Sequence, residues 1–165
     1  MRILTARPAL FLILCSTVAL AGCGGPSVDV GKVVVVGEST TGWFDAGIVN
    51  GQNKLVPSAT FTVKNTGTEK LSGLQVYCVF RLVGETEELG SSLVILRGKE
   101  ALEPGATSKA ITARANWGFT GEQPRAQMLM HTIFKDAQIQ IFVKYGAAPF
   151  AKIHEAQVTR QLLTQ

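Results

Sequence analysis

The sequence predicts a mostly β fold, a two-sheet sandwich of about seven strands with one inserted helix, formed by residues 29–165. Two observations predict it. Several short segments alternate apolar and polar residues with a period of two, which is the pattern of strands that bury one face, and turn-forming residues separate these segments. One segment near residue 130 has a helical period instead. About seven short alternating strands are typical of a two-sheet sandwich.

The first half of this domain contains three predicted strands. Residues 28–36 are rich in valine and end at Gly37, whereas residues 39–54 are rich in glycine and polar residues and are predicted to form a loop. Residues 59–64 alternate apolar and polar side chains up to a turn at Asn65-Thr66-Gly67. The clearest strand follows, with an apolar residue at every second position: Leu74, Val76, Cys78, Phe80 and Leu82.

Four further strands are predicted in the second half, with turns between them. They cover residues 91–96, 107–115, 138–145 and 151–160. A polar hairpin loop at residues 84–88 precedes the first of these strands, and the turn Leu102-Glu103-Pro104-Gly105 precedes the second.

One segment between these strands predicts a helix. Its apolar residues recur at i, i+3, i+4, i+7, i+8 and i+11: Ala126, Leu129, Met130, Ile133, Phe134 and Ala137. Pro124 stands near the start of the segment, where a helix tolerates proline. We therefore predict a helix over about 123–135, packed on one edge of the sheets.

Part of the domain resembles a known class. The run Phe61-Thr62-Val63-Lys64-Asn65-Thr66-Gly67, the strand at 74–80 and the turn Leu102-Glu103-Pro104-Gly105 resemble the immunoglobulin-like and fibronectin-type-III-like domains of bacterial envelope proteins. The resemblance implies a sandwich with a role in binding or assembly, without specifying a ligand. The sequence lacks the core cysteine pair of an antibody domain.

Residues 1–22 have the features of a secretory signal peptide. Arg2 and Arg7 make the start basic, residues 8–20 are almost all apolar, and the small pair Ala21-Gly22 follows. The apolar run is shorter than the ~20 residues of a membrane-spanning helix. We expect this segment to be removed on export.

The end of this signal carries a specific motif. Leu20-Ala21-Gly22-Cys23 resembles the lipobox of bacterial lipoproteins, which implies a thioether-linked lipid on Cys23, cleavage before it and acylation of its new amine, for example with palmitate. Residues 23–28 would then form a lipidated tether. In a Gram-negative cell, Gly24 in place of aspartate implies the outer membrane. The alternative is an ordinary signal peptide with an accidental cysteine.

Charge gives no indication of a nucleic-acid partner. Of the 16 basic residues, two lie in the signal, which leaves 14 against 12 acidic residues and a net charge of +2. The basic residues are scattered along the chain and form no patch. A mildly charged, solvated surface is therefore expected.

The sequence offers no catalytic, metal-binding or cofactor-binding motif. His131 and His154 belong to no metal-ligand spacing and no nucleophile motif. Cys78 occupies the apolar row of its strand, which predicts a buried, inert thiol. The acidic residues of the 84–88 loop are expected to be solvated. We predict no enzyme and no cofactor.

Two aromatic clusters lie outside the predicted strands, Trp43-Phe44 and Trp117-Gly118-Phe119. Exposed aromatic side chains in loops would mark a partner surface. The alternative is that they close the two ends of the sandwich. Trp43, Phe44, Trp117 and Phe119 are the partner-binding candidates.

Three hypotheses about function follow. The first is a lipid-anchored envelope module that presents its domain to a protein or cell-wall partner. The second is a periplasmic carrier or assembly factor that holds an apolar ligand or client between sheet and helix, with Met128, Met130 and the aromatic residues lining the groove. The third, an enzyme, would require a histidine in a cleft beside a carboxylate.

Overall fold

The computed structural model describes residues 28–163. The predicted signal peptide at residues 1–22 and the predicted lipid site at Cys23 therefore lie outside the described residues. The described chain forms two β sheets, with helix confined to short segments. This confirms the mostly β, two-sheet sandwich predicted from the alternating segments.

Nine strands and two short α helices lie between residues 28 and 163, so the strands outnumber the roughly seven predicted. They are α1 (Val30–Val33), β1 (Val34–Val49), β2 (Gln52–Asn65), β3 (Leu74–Leu82), β4 (Glu88–Leu96), β5 (Ile111–Arg114), β6 (Phe119–Gly121), α2 (Arg125–Met130), β7 (Ala137–Lys144), β8 (Ala151–Gln157) and β9 (Leu162–Leu163). A 3-10 turn covers Gly98–Glu100. Neither α helix in this range is long and apolar enough to cross a membrane.

The two sheets have different strand orders. One has the order β5-β2-β1-β9, with β6 also paired to β2, and the other has the order β4-β3-β7-β8. Neighbouring strands are antiparallel except for β1 and β9, which are parallel. The strands predicted at 91–96, 107–115, 138–145 and 151–160 correspond to β4, β5, β7 and β8, with different ends.

The prediction of a loop over residues 39–54 was wrong. This segment forms most of β1, the hairpin turn and the start of β2, with Thr40 paired to Thr60 and Val49 paired to Gln52. Asn50 and Gly51 make the turn with φ angles of 52° and 80°, as a two-residue hairpin of this kind requires. Glycine and polar residues occupy the strands themselves because the outer face of this sheet is largely solvent-exposed.

The predicted strand at residues 28–36 is only partly correct. Residues Val30–Val33 form one helical turn before β1 begins. Val30 and Val34, four residues apart, are 2% and 1% exposed. The helical turn brings both side chains into the core, although their β-branched type favoured a strand.

The helix predicted over 123–135 is much shorter. It ends at Met130, and His131 already has an extended backbone with φ −69° and ψ 141°. Phe134 is therefore 4% exposed while its neighbour Ile133 is 76% exposed. Arg160 stabilises this ending, because its guanidinium donates hydrogen bonds to the carbonyl oxygens of Leu129 at 3.3 Å and Phe134 at 2.8 Å.

The core lies between the sheets, where the inward rows of β2, β3 and β7 meet. The row predicted for β3 is inward as expected: Leu74, Val76, Cys78 and Phe80 are each at most 1% exposed. In β7, alternate residues from Ala137 to Val143 are buried in the same way. The period-two pattern therefore located the core correctly in both central strands of the second sheet.

The sandwich has two ends that the strand register defines. At the proximal end, β1 begins at Val34 opposite Asn65, and β3 begins at Leu74 opposite Leu96. At the distal end are the hairpin turn at residues 50–51, the loop 83–87 and the segment 115–135. Because β1 has 16 residues, this strand is about 50 Å long at ~3.3 Å per residue, and its hairpin turn extends farthest at the distal end.

Candidate protein-binding site at the distal end

Trp43 and Phe119 close the distal end from inside. The ring of Trp43 lies 5.7 Å from Phe119 and 4.5 Å from Phe134, measured between centroids, and Phe119 lies 4.5 Å from Phe134. Trp43 is 0% exposed, and its Nε1 has no hydrogen-bond partner among residues 28–163. Trp43 is therefore buried and Phe119 is half-buried, which is the arrangement that the plug interpretation expects for these two residues.

Phe44 lies on the outer face of the first sheet, since side chains alternate along β1. The guanidinium carbon of Arg114 lies 3.6 Å from the centroid of its ring. Phe44 is half-buried, and the stacked arginine covers part of it. The neighbouring aromatic residues Trp43 and Phe44 thus belong to opposite faces of the same strand.

Trp117 is the candidate that the structure leaves exposed, with 68% of its surface accessible. The ammonium of Lys54 lies 5.7 Å from its ring centroid and also donates a hydrogen bond to the carbonyl oxygen of Asn116 at 3.1 Å. This contact supports one side of the indole and leaves the remainder open.

Both sheets hold the backbone around Trp117. The Trp117 N–H donates to the carbonyl oxygen of Leu89 in β4 at 2.8 Å, and the Ala115 N–H donates to the carbonyl oxygen of Pro57 in β2 at 2.9 Å. The loop thereby bridges the two sheets. Its backbone position is fixed although its side chain is exposed.

Two glycines allow this loop to lie directly on the strands. A Cβ atom at Gly118 would lie 2.0 Å from the carbonyl oxygen of Leu55, and one at Gly90 would lie 2.4 Å from the backbone nitrogen of Asn116. Leu55 belongs to β2, and Asn116 lies between the Ala115 and Trp117 N–H groups that bind the two sheets, so neither backbone can move freely. Glycine is therefore required at both positions by close approach.

Other large apolar side chains are exposed at the same end. Ile48 is 69%, Met130 74% and Ile133 76% exposed. Residues Met130 and Ile133 belong to the apolar stripe that predicted a helix, so the sequence pattern indicated that they would be buried. The early end of α2 turns them outward instead.

Ion pairs surround these apolar residues. Arg125 Nε lies 2.5 Å from Asp45 Oδ2, Lys135 Nζ lies 2.5 Å from Glu85 Oε1, and Arg160 Nε lies 2.6 Å from Asp136 Oδ1. The Arg125 guanidinium and the Gly47 N–H lower the pKa of Asp45. Oppositely charged groups are thus paired around these exposed apolar residues.

The remaining polar candidates form no site in the described part of the chain. His131 follows α2 at the distal end, while His154 lies within β8. No group of three or more His, Cys, Asp or Glu side chains between residues 28 and 163 is arranged to hold a metal ion. Cys78 is 1% exposed, and burial raises the pKa of its thiol to about 12.

Comparisons with known proteins find similarity to solved structures at low sequence identity. No family model matches the chain, and no curated protein matches it. Among solved structures, it is similar to the structural-genomics target SoR45, with a TM-score of 0.46 and 14% identity over 78% of this chain and 88% of that one. It is also similar to the putative ApaA protein of Bordetella pertussis, with a TM-score of 0.44 and 14% identity over 77% and 93%.

A third similar structure is that of AT1g01470 from Arabidopsis thaliana, with a TM-score of 0.44 and 12% identity over 81% of this chain and 84% of that one. These similarities are too distant to bear on function.

Proposed function

We propose that this chain is a lipid-anchored protein of the bacterial cell envelope that binds a protein partner through its distal end, with Trp117 as the main contact. The lipid would be attached at Cys23, and the outer membrane would be its location in a Gram-negative cell. The chain would act as a binding or structural module without catalysis.

One observation carries the proposal: Trp117 is exposed while its backbone is fixed. Tryptophan is enriched among the residues that dominate binding free energy in protein interfaces. A side chain on a fixed loop loses little conformational entropy on binding, because its backbone is already ordered. An exposed indole on a backbone that both sheets hold therefore suits a contact with a partner better than a role in folding.

The position of this surface supports the proposal. The described chain begins at Val28, and the start of β1 lies at the proximal end. A lipid at Cys23 would attach five residues before Val28. The distal end would then point away from the membrane. Gly118, next to Trp117, packs on Leu55, which pairs with Asp45, so Trp117 would lie about 36 Å from the start of β1 at ~3.3 Å per residue.

The carrier hypothesis is less well supported than surface binding, because the space between sheet and helix, where the ligand was expected, is small. The cleft beside α2, lined by Phe119, Met128 and Ile133 among others, has a volume of about 60 Å³. Ligand-binding clefts usually measure about 300–1,000 Å³. Met130 is exposed and does not line this cleft. The geometry between sheet and helix favours surface recognition over storage of a lipid-sized ligand.

Site-specific cross-linking in intact cells tests the proposal. A photoreactive amino acid replaces Trp117 in one variant and Phe150 in the other. Phe150 is a matched control, since it is also an exposed aromatic residue beside a lysine, with Lys144 Nζ 5.6 Å from its ring centroid. We expect a discrete protein adduct from position 117 that competes with unmodified wild-type chain.

Adducts of the same identity and yield from both positions would mean nonspecific proximity and would contradict a distal binding site. An adduct with cell-wall glycan instead of protein at position 117 would contradict the assignment to a protein partner.

A further inference from the structure

We infer that the exposed edge of β4 and the groove beside it bind an extended, acidic segment of another protein, which would add a strand to the second sheet. This site is separate from the Trp117 contact and goes beyond the proposed function. It requires neither the lipid nor the distal end.

β4 is an edge strand with few of the features that usually protect such edges. It pairs only with β3. The segment from Leu89 to Leu96 contains no charged residue and no proline, although charge and proline commonly prevent an edge from pairing with other chains. Leu93 on this strand is 52% exposed.

Among the described residues, the backbone of β4 forms hydrogen bonds only with β3 over its middle part. Besides pairing with β3, described residues form backbone hydrogen bonds with β4 only at its ends, from Trp117 N–H to Leu89 O at 2.8 Å and from Gly73 N–H to Leu96 O at 2.7 Å. Residues 91–95 lie between these contacts. A bound strand could pair with their outward N–H and C=O groups.

A groove runs beside the same edge, between β4 and the segment 106–112. It has a volume of about 500 Å³, and its floor includes Leu96, Leu102 and Ile111, which belong to the core. A strand added to β4 would direct alternate side chains into this groove. Backbone pairing combined with pockets for alternate side chains is how strand addition obtains affinity and specificity.

The charges around the groove indicate the chemistry of the partner. Lys99 and Lys109 line it, with Glu100 as the acidic residue among them, and Arg114 lines a polar depression next to Ser91 and Ser92. Neither lysine takes part in an ion pair between described residues. The surplus of positive charge fits a segment that is apolar at alternate positions and carries carboxylates.

Peptide binding to the full chain, purified in detergent micelles, tests the inference. The probe is a labelled peptide that alternates Val and Thr and ends in two Asp residues. We expect saturable binding by fluorescence anisotropy, together with slower hydrogen exchange at the β4 amides. Methylating every second backbone nitrogen of the peptide should weaken binding at least tenfold, because the added strand loses its pairing.

Two variants of the chain report on the groove. Ala110→Trp places a large side chain at an exposed position that lines the groove, and it should weaken binding at least tenfold. Lys99→Glu combined with Lys109→Glu changes only exposed side chains, and it should weaken binding of the acidic peptide far more than that of a version ending in two Asn residues. Trp117→Ala should leave peptide affinity unchanged.

Equal binding of the methylated and unmethylated peptides, or no binding by the wild-type chain, would overturn the inference. A concentration-dependent dimer that Ala110→Trp abolishes would also overturn it, since a second copy would then occupy the edge. Because the cellular cross-link is formed from position 117, whereas peptide binding is expected to be unchanged in Trp117→Ala, failure of this inference is distinguishable from failure of the proposed function.

Discussion

The thiol of Cys78 shows how strongly a single position depends on its surroundings. It lies on the inward row of β3 between Val76 and Phe80. The apolar core disfavours the charged thiolate, so burial raises the pKa of Cys78 from 9.0 to about 12. A neutral, inaccessible thiol is a poor nucleophile, which argues against a redox or catalytic role.

Cys78 should make the fold sensitive to alkali. Between pH 9 and about 12, the unfolded chain releases the thiol proton while the folded chain retains it, so the free energy of unfolding falls as the pH rises. Relative to Cys78→Ala, wild type should lose about 2 kcal/mol between pH 8 and pH 10.5, at ~1.4 kcal/mol per pKa unit. Urea denaturation of both proteins at the two pH values measures the difference. Parallel profiles would contradict this prediction.

The four aromatic candidates show what could and could not be predicted for single residues. The sequence identified the segments that contain the distal aromatic residues, because tryptophan and phenylalanine outside the predicted strands are conspicuous, although Trp43, Phe44 and Phe119 in fact lie within β1 and β6. It could not distinguish Trp43 from Phe44, since that depends on which face of β1 is inward. It could not indicate that Gly118 lies against Leu55 in β2 and leaves Trp117 exposed.

Among the elements, α2 departs most from its sequence pattern. Period and propensity describe local preferences, and they continue to favour a helix beyond Met130. The chain leaves the helix because Phe134 packs against Trp43 and because Arg160, 30 residues after Met130 in the sequence, binds the carbonyl groups of Leu129 and Phe134. Neither Trp43 nor Arg160 lies in the stretch of sequence from which the helix was predicted.

Phe134 and Ile133 should therefore respond very differently to truncation. Phe134→Ala removes a buried ring from the aromatic plug and should lower the free energy of unfolding by about 3–5 kcal/mol. Ile133→Ala changes an exposed side chain and should alter it by less than ~0.5 kcal/mol. Chemical denaturation of the two variants measures both effects. If the predicted helix were intact and both residues were buried, the two losses would be similar.

The hairpin of β1 and β2 shows why the strand prediction failed in one region. Residues 39–49 lack a strict apolar alternation because β1 has irregularities between Val36 and Ser39 and between Asp45 and Ile48, where the face of the strand changes. Such irregularities disrupt a period-two pattern while the pairing with β2 continues. β3 and β7 pair with each other without such an irregularity, and both strands were predictable.

For the molecule as a whole, the mostly β, two-sheet fold was predictable because it depends on the total pattern of alternation and turns. The positions of the edges were not, since strand order results from long-range pairing. The edge of β4 and its groove were therefore not predicted, although strands were predicted on both sides of the groove, at 91–96 and 107–115.

Attachment at Cys23 is the proposal that concerns the whole molecule in its cell. Labelled palmitate should enter the wild-type chain and be lost in Cys23→Ala, because only a thiol at the cleavage site can form the thioether that precedes acylation. Cys78→Ala is the matched control and should retain the label. Equal labelling of wild type and Cys23→Ala, detected after gel electrophoresis, would exclude the anchor.

The length of β1 has a mechanical consequence. Its first residue, Val34, is at the proximal end, and it is paired with β2 at twelve positions along its length. If a lipid held the N-terminus and a partner held the distal end, tension between them would act parallel to β1 and load its hydrogen bonds with β2 in shear. Those bonds would share the force and would not open one after another. β1 would therefore carry the tension between the membrane and the partner.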